Sequence, residues 1–281
     1  MAKLTKKQIK QHAEAMALLK KDVLTEDDRY FVLDNWQESA EHINSAAGAF
    51  FTPTSLADSF AIEVGTGRII DLCAGIGSLG VAVIQHTAWW RDKPEIVCVE
   101  INPAYVEIGR KVLPEATWIC ADVFDVLDMG LGRFDVAMSN PPFGRIARAE
   151  GKGAPRYKGA DFEFHVIDVA AHLANFGAFI LPQGSAGFEY SGKPRYERQT
   201  SGKAFAYQEA TGLHFEAGCG IDTSFARDQW RGTAPVVEVV CVDFTEKVEA
   251  QEAAPEPAAV VERPSFAPAA NGQFDMFGEA A

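Results

Sequence analysis

The chain has 281 residues, 47% of them hydrophobic and 11% aromatic, which is enough for one sizeable core of the α/β size class. No apolar run approaches the roughly 20 residues that span a bilayer, and the basic start lacks the apolar core of a secretory signal. We therefore expect a cytoplasmic protein with no membrane partner. The five cysteines form no C-x-x-C pair, which indicates free thiols and no transition-metal site.

The charge is unevenly distributed along the chain. A net charge of −13 argues at first against a nucleic-acid partner, but residues 246–281 alone hold seven acids and two bases. Two Gly-rich stretches, 144–160 and 184–210, are basic instead and contain tyrosines, a composition suited to phosphates and stacked bases. Their cations are Arg145, Arg148, Lys152, Arg156 and Lys158, and Lys193, Arg195, Arg198 and Lys203. Solvated surface loops remain the alternative for each stretch.

In chain order, the first predicted elements are helices. Residues 5–45 are predicted to be helical, with a second helix beginning at Thr25. Thr52 is the predicted N-cap of the next helix, and Pro53 is its predicted first residue. Residues 1–47 are therefore predicted to form an N-terminal helical segment.

Strands alternate with helices in the rest of the chain. Buried strands are predicted at 67–73, 95–100, 116–120, 133–139, 177–182, 213–221 and 235–244. Helices between the first five predict a parallel sheet covered on both faces, whereas the short link between the last two predicts an antiparallel hairpin at the edge. The fold class is thus α/β with a mostly parallel seven-stranded sheet over residues 48–245, followed by a disordered acidic tail at 246–281.

A glycine turn follows the first predicted strand. In DLCAGIGSLG (71–80) the G-x-G-x-x-G spacing begins at Gly75, and Glu100 ends the next strand, as in dinucleotide-binding proteins. A nicotinamide or flavin enzyme is therefore one interpretation. S-adenosylmethionine requires the same turn and the same ribose-binding acid, and two further acids favour it. Asp71 can face a cationic amino group, and Asp122 can accept the adenine amino group.

The fourth strand ends in Asn140-Pro141-Pro142-Phe143. Proline cannot donate to a sheet ladder, and the residue before a proline is pushed out of the helical region, so this tetrad predicts a stiff extended turn. It presents a side-chain amide, backbone carbonyls and an aromatic face. An ordinary strand-ending loop is the alternative if the tetrad is taken alone.

The order of FFTP, DLCAGIGSLG, VEIN, ADVFD, NPPF and GAFILPQG resembles amino-group methyltransferases of the gamma arrangement. It is most similar to the modification subunits of type I restriction systems and related adenine-N6 DNA methyltransferases. The resemblance implies a Rossmann-like class I methyltransferase fold with S-adenosylmethionine as cofactor. The implied cofactor contacts are Phe51, Thr52 and Pro53 at the methionine part, Gly75 and Gly77 beneath it, Glu100 at the ribose, and Ile101, Asp122 and Val123 at the adenine. Asn140, Pro141, Pro142 and Phe143 would hold the target base and form the catalytic tetrad.

Adenine-N6 methylation of DNA is therefore the predicted function, with the stretches 144–160 and 184–210 contacting DNA. One rival interpretation is the same methyl transfer to RNA or to a guanine N2 amino group. Another is methylation of a protein glutamine. From a different class come a nicotinamide-dependent oxidoreductase and a catalytically silent nucleic-acid-binding module. Large separate recognition domains, which many such DNA methyltransferases carry, have no counterpart in the sequence.

The acidic tail ends with an apolar cluster. Gln273-Phe274-Asp275-Met276-Phe277 resembles the short peptide by which bacterial proteins bind the replication sliding clamp, with Met in place of the usual Leu. We expect a peptide of residues 268–281 to bind the clamp with about micromolar affinity, or about −8 kcal/mol, in a calorimetric titration. Changing Gln273 and Phe277 to Ala should remove that binding. The alternative is that the segment packs back on its own domain or has no role, and a titration without binding would favour that alternative.

Overall fold

The computed structural model describes residues 5–37, 51–231 and 234–245. Its helices are α1 (Lys6–Leu18), α2 (Glu26–Asn35), α3 (Thr54–Phe60), α4 (Ser78–His86), α5 (Pro103–Val112), α6 (Phe162–Leu173), α7 (Gln183–Ala186) and α8 (Lys203–Thr211). Its strands are β1 (Arg68–Leu72), β2 (Glu95–Glu100), β3 (Thr117–Cys120), β4 (Phe134–Ser139), β5 (Ala174–Pro182), β6 (Phe188–Glu189), β7 (Glu197–Arg198) and β8 (Val237–Asp243). Short 3-10 helices cover Ala61–Glu63, Val123–Met129 and Thr223–Gln229. The acidic tail and its Gln273–Phe277 motif lie outside the described residues.

The main sheet has the order β3-β2-β1-β4-β5-β8. All its pairings are parallel except that of β8, which runs antiparallel to β5. Because helices or 3-10 turns connect the parallel strands, both faces of the sheet are covered. The predicted α/β fold with a mostly parallel sheet is confirmed.

The predicted strand 213–221 is replaced by a looser segment, so the main sheet has six strands rather than seven within the described ranges. Only Glu216 pairs with β8, through backbone hydrogen bonds of 3.0 and 2.8 Å in both directions with Cys241. Gly218 and Gly220 then adopt left-handed φ angles of 55° and 79°, which turn the chain away from the sheet. The predicted antiparallel hairpin is therefore reduced to a single bridge at the edge.

Two apolar layers lie on opposite faces of the sheet. One is packed beneath α6 and α8, and the other beneath α3, α4 and α5. The second layer also buries Leu33 and Trp36 from the N-terminal helices. These helices are consequently joined to the same core as the sheet. Within the described residues, no helix combines the length and apolarity needed to cross a bilayer.

Of the two predicted helix starts, the one at Thr25 is confirmed and the one at Thr52 is wrong. Thr25 caps α2 as predicted, and its hydroxyl accepts the Asp28 N–H. The prediction for Thr52 was wrong, because α3 begins at Thr54 with Pro53 as its N-cap. The Thr52 hydroxyl instead accepts a hydrogen bond of 2.8 Å from Asn140 Nδ2. The Thr52 hydroxyl therefore makes a long-range contact instead of capping the helix that follows it.

Gly109 provides a test of this packing. A Cβ at Gly109 would overlap the Trp118 indole ring, so we expect Gly109→Ala to destabilise the fold by about 1–3 kcal/mol in denaturant unfolding. Gly184→Ala in α7 is the matched control, because its Cβ would meet nothing within 4 Å. The control should stay within about 0.5 kcal/mol of the parent chain. Equal stability of the two variants would contradict the described α5–β3 contact.

Candidate active site

The site lies at the carboxyl edge of the parallel strands. There β1, β2 and β4 end side by side, and the strand order reverses between β1 and β4, the position where open α/β sheets bind ligands. A cavity of about 400 Å³ opens at this edge, within the range of small-molecule sites. A smaller one of about 30 Å³ adjoins it and shares Phe51, Cys73, Gly75 and Asn140 as lining residues.

The turn after β1 is strained. Cys73 has a φ of 68°, a left-handed value that is uncommon outside glycine, and Gly75 follows with 58°. Gly75 lines both cavities, and its N–H donates to Glu100 Oε2 at 2.8 Å. Gly77, with a φ of 96°, packs instead against Trp118, whose ring would be 3.2 Å from a Cβ at that position. Gly75 therefore shapes the site, whereas Gly77 permits close packing behind it.

Two carboxylates lie at the ends of β1 and β2. The Asp71 side chain lines the smaller cavity, is fully buried, and has no hydrogen-bond partner for either oxygen among the described residues. Burial, together with the nearby charge of Glu100, raises the pKa of Asp71 to about 8. Glu100 is also buried and accepts the Asn102 N–H at 2.8 Å in addition to that of Gly75. Asp71 is thus suited to a cationic partner, and Glu100 braces the glycine turn.

Three further predicted residues line the larger cavity. Ile101 lies on its rim with 64% of its surface exposed, whereas Val123 is buried. Asp122 caps the 3-10 helix by accepting the Phe124 N–H at 3.0 Å. Sequence reasoning missed Cys73 and Tyr105, which also line this cavity. Cys73 lies within the DLCAGIGSLG motif and Tyr105 lies three residues after the VEIN motif, so their positions beside these motifs were the available signal.

The Asn140–Phe143 turn enters the same site from β4. Asn140 lines both cavities, and its Nδ2 is held by Thr52, which orients the amide. Pro142 lines the larger cavity, and Pro141 is buried. Phe143 is half-buried and packs against the apolar layer that contains Trp36. The structure therefore brings Phe51, Thr52, Asp71, Glu100 and Asn140 together, although they come from four separate segments.

The basic stretch 144–160 is fastened to the protein by most of its own cations. Its residues 146–149 line the larger cavity. Arg156 pairs with buried Asp168, and Lys152 pairs with Asp125. The Arg148 guanidinium lies against His165, whose pKa is lowered by burial, so this ring is neutral near pH 7. Much of this positive charge therefore stabilises the fold through contacts with other segments, which the amino-acid composition alone could not reveal.

The second basic stretch is a folded unit. It contains the β6–β7 hairpin and α8, and Tyr196 stacks on Phe188 within it at a centroid distance of 5.3 Å. Lys193 pairs with Glu189, and Arg195 with Glu197, but Arg195 keeps 82% of its side chain exposed. Exposed pairs of this kind exchange readily for other anions. The hairpin is therefore the more accessible of the two basic surfaces.

The residues present fit S-adenosylmethionine. The larger cavity has carboxylates at Glu100 and Asp122 for hydroxyl and amino groups, and the smaller one has buried Asp71 for an ammonium group. An unpaired buried acid in such a site would ionise against a cationic ligand, since pairing with an ammonium group offsets the desolvation of its charged form. The phosphate-binding chemistry of a dinucleotide would not require an acid at this position.

One segment of the chain matches a known protein family, and parts of the chain are similar to curated proteins. Residues 52–153 match the methyltransferase small domain. The chain is 35% identical over 79 residues to a release factor glutamine methyltransferase from Mycolicibacterium smegmatis, covering 27% of each protein. It is 29% identical over 110 residues to ribosomal RNA small subunit methyltransferase C from Klebsiella pneumoniae, covering 36% of this chain and 31% of the relative. The chain thus spans less than a third of the length of these relatives.

Solved structures share the fold at low sequence identity. A modification subunit of a type I restriction enzyme from Vibrio vulnificus superposes with a TM-score of 0.55 at 13% identity, over 80% of this chain and 51% of that one. A class I S-adenosylmethionine-dependent methyltransferase from Listeria monocytogenes gives a TM-score of 0.51 at 13% identity, over 84% and 80% of the two chains. The Rossmann-like class I methyltransferase fold is confirmed, and the domain match confirms S-adenosylmethionine as the predicted cofactor.

Asp71 makes the stability of the ligand-free protein depend on pH. Its pKa is about 8 in the folded chain against an ordinary value of 3.8, so the folded state retains a proton that the unfolded state has lost between these values. Stability should therefore fall as the pH rises from about 4 to about 8. We expect Asp71→Asn to reduce this slope and to raise the Tm at pH 8 by about 2–4 °C, or ~1 kcal/mol. The same variant should bind S-adenosylhomocysteine at least about tenfold more weakly in calorimetry. An unchanged pH slope would contradict the buried state of Asp71.

Proposed function

We propose that the protein transfers a methyl group from S-adenosylmethionine to the N6 amino group of adenine in DNA. The observation that carries this proposal is the oriented Asn140 amide, which lies between the two cavities at the end of β4. In the larger cavity, S-adenosylmethionine would supply an electrophilic sulfonium methyl group. Asp71, Glu100 and Asp122 are the residues that would hold it.

The tetrad suits an exocyclic amino nitrogen. Such a nitrogen is a weak nucleophile, because its lone pair is delocalised into the ring. Acceptors at Asn140 Oδ1 and the Pro141 carbonyl would bind its two hydrogens, direct the lone pair outward and stabilise the developing positive charge. The leaving thioether would be neutral, and the surplus proton of the methylated nitrogen would pass to solvent water, so no strong general base is needed. Phe143 would supply a stacking face for a base taken out of its helix.

Adenine in DNA is favoured over a glutamine side chain by two features. The aromatic residue of the tetrad is Phe143, whereas Tyr is usual in glutamine methyltransferases of this pattern. The exposed cations of the β6–β7 hairpin also suit a phosphate backbone. RNA is the second candidate substrate. The partial match to the ribosomal RNA methyltransferase supports RNA as the substrate. The basic hairpin does not discriminate between the two, because its cations would suit the phosphates of either nucleic acid.

Asn140→Ala tests the role of the tetrad. We expect methyl transfer to fall by about 10²–10³-fold, because the lost acceptor acts in the transition state, while S-adenosylhomocysteine affinity stays within a few-fold. Transfer of a radiolabelled methyl group to DNA measures the first quantity, and calorimetry the second.

Thr52→Val is the matched control for that variant. It removes the hydrogen bond that orients the amide but keeps the amide itself, so the rate should fall by no more than about tenfold. Near-normal turnover of Asn140→Ala would reject the assigned role of Asn140.

The hairpin cations test the nucleic-acid surface. Replacing Lys193, Arg195 and Arg198 by Gln should weaken DNA binding and reduce the slope of log K against log salt by about 2–3. Lys6, Lys7 and Lys10, which are exposed on α1, give a control variant with the same change in charge. Fluorescence anisotropy over a salt series measures both variants. Equal slopes would show that the hairpin acts no differently from any other basic surface.

A further inference from the structure

The exit of the Asn140–Phe143 turn is joined to the start of α6. The Gly144 N–H donates to Glu163 Oε2 at 2.8 Å, and its carbonyl accepts the Phe162 N–H at 2.8 Å. Arg145 and Asp161 form an antiparallel bridge beside them. Residues 146–160 therefore form a loop whose two ends are held together by backbone pairing. The Asn140–Phe143 tetrad comes directly before the first of these ends.

Glu163 is a meeting point of three segments. Its side chain is fully buried, and its second oxygen, Oε1, accepts from Ser185 Oγ at 2.7 Å and from Lys203 Nζ at 2.9 Å. Lys203, the first residue of α8, also pairs with Asp161 at 2.9 Å. A buried carboxylate is stable only when its hydrogen-bond partners and a counter-charge compensate for lost hydration. Here Lys203 supplies the charge, and α7 and α8 are thereby tied to the tetrad.

Gly144 is the point at which the turn could still move. The prolines fix φ at two positions, and Asn140 is held by Thr52. At the entry, the Ser139 hydroxyl donates to the Leu72 carbonyl. Gly144 has a φ of 76°, and a Cβ there would meet nothing within 4 Å, so neither side-chain bulk nor neighbouring atoms confine it. The restraint at Gly144 therefore comes from its two hydrogen bonds, one to the Phe162 backbone and one to the side chain of Glu163.

We propose that Glu163 is a positioning residue for methyl transfer, which acts through Gly144 to set the tetrad against the cofactor cavity. This inference rests on the proposed function. Lys203 Nζ lies 2.9 Å from Glu163 Oε1, and a hydrogen bond from a backbone N–H to an ion-paired carboxylate is about twice as strong as a neutral one. Displacement of reacting groups by about 1 Å lowers rates by about 10²-fold. The unit formed by α7, the hairpin and α8, which carries the proposed nucleic-acid surface, is thereby coupled to the catalytic turn.

The test compares Glu163→Gln, Lys203→Met and the double variant in the full chain. Glu163→Gln keeps the size of the side chain but removes its charge, and Lys203→Met removes the counter-charge. We expect each single variant to lower kcat on unmethylated genomic DNA by about 10–100-fold, with KM for S-adenosylmethionine and affinity for S-adenosylhomocysteine within about twofold. The double variant should lose much less than the product of the single losses, because both changes disrupt one interaction.

Glu115→Gln is the matched control. It breaks the ion pair of Glu115 with Arg29, which joins α2 to the segment before β3, and should keep kcat within about twofold. Normal kcat for Glu163→Gln or Lys203→Met, with an active parent protein, would overturn the inference and leave the proposed function standing. A parallel rise in KM for the cofactor would also overturn it, since that result indicates a general loss of structure. An inactive parent protein on DNA and RNA alike would overturn the proposed function and the inference together.

Discussion

Parallel pairing of β2, β1 and β4 places the ends of three strands at one edge of the sheet, and the candidate site follows from this constraint. Each chain must leave the sheet there, and each does so through residues that cannot continue a strand. After β1 these are Cys73 and Gly75, both with left-handed φ angles, and after β4 they are Pro141 and Pro142. The backbone groups released at this edge are bound by Glu100, which accepts two N–H groups from neighbouring turns.

The same edge contains a buried acid whose charged form is destabilised by its surroundings. Asp71 is fully buried beside Glu100 without a hydrogen-bond partner among the described residues, and burial raises its pKa to about 8. A fold selected only for stability would place an apolar residue there, as at Ile69, Ile70 and Leu72 of the same strand. The proposed cofactor site would account for this acid, because S-adenosylmethionine carries a cationic amino group. Strain at Cys73 is consistent with the same view, since strained backbone persists where the surrounding structure and its function require it.

Local patterns predicted the parts of the fold that depend on local physics. The strand at 95–100 was predicted to the residue, because a buried apolar run is bounded by Pro94 and Asn102. The G-x-G-x-x-G turn and the acids after β1 and β2 were equally accessible, since strand ends determine where they lie. The pairing of Thr52 with Asn140 joins residues 88 positions apart and has no local signature. The segment 213–221 reads as a strand by composition, but Gly218 and Gly220 turn it away. Cations at 144–160 suggested a surface for ligands, yet Arg156 and Lys152 are bound by acids from distant segments.

The cofactor site is compatible with several methyl acceptors, so the identity of the substrate must be measured directly. The curated relatives named above act, by their names, on a release factor glutamine and on ribosomal RNA, and each matches only part of this chain. The most direct measurement is nucleoside mass spectrometry of DNA, RNA and protein incubated together with the enzyme and S-adenosylmethionine bearing a deuterated methyl group. We expect the label in N6-methyladenine of the DNA. Label confined to guanine or adenine of the RNA, or to a glutamine side chain, would contradict this expectation.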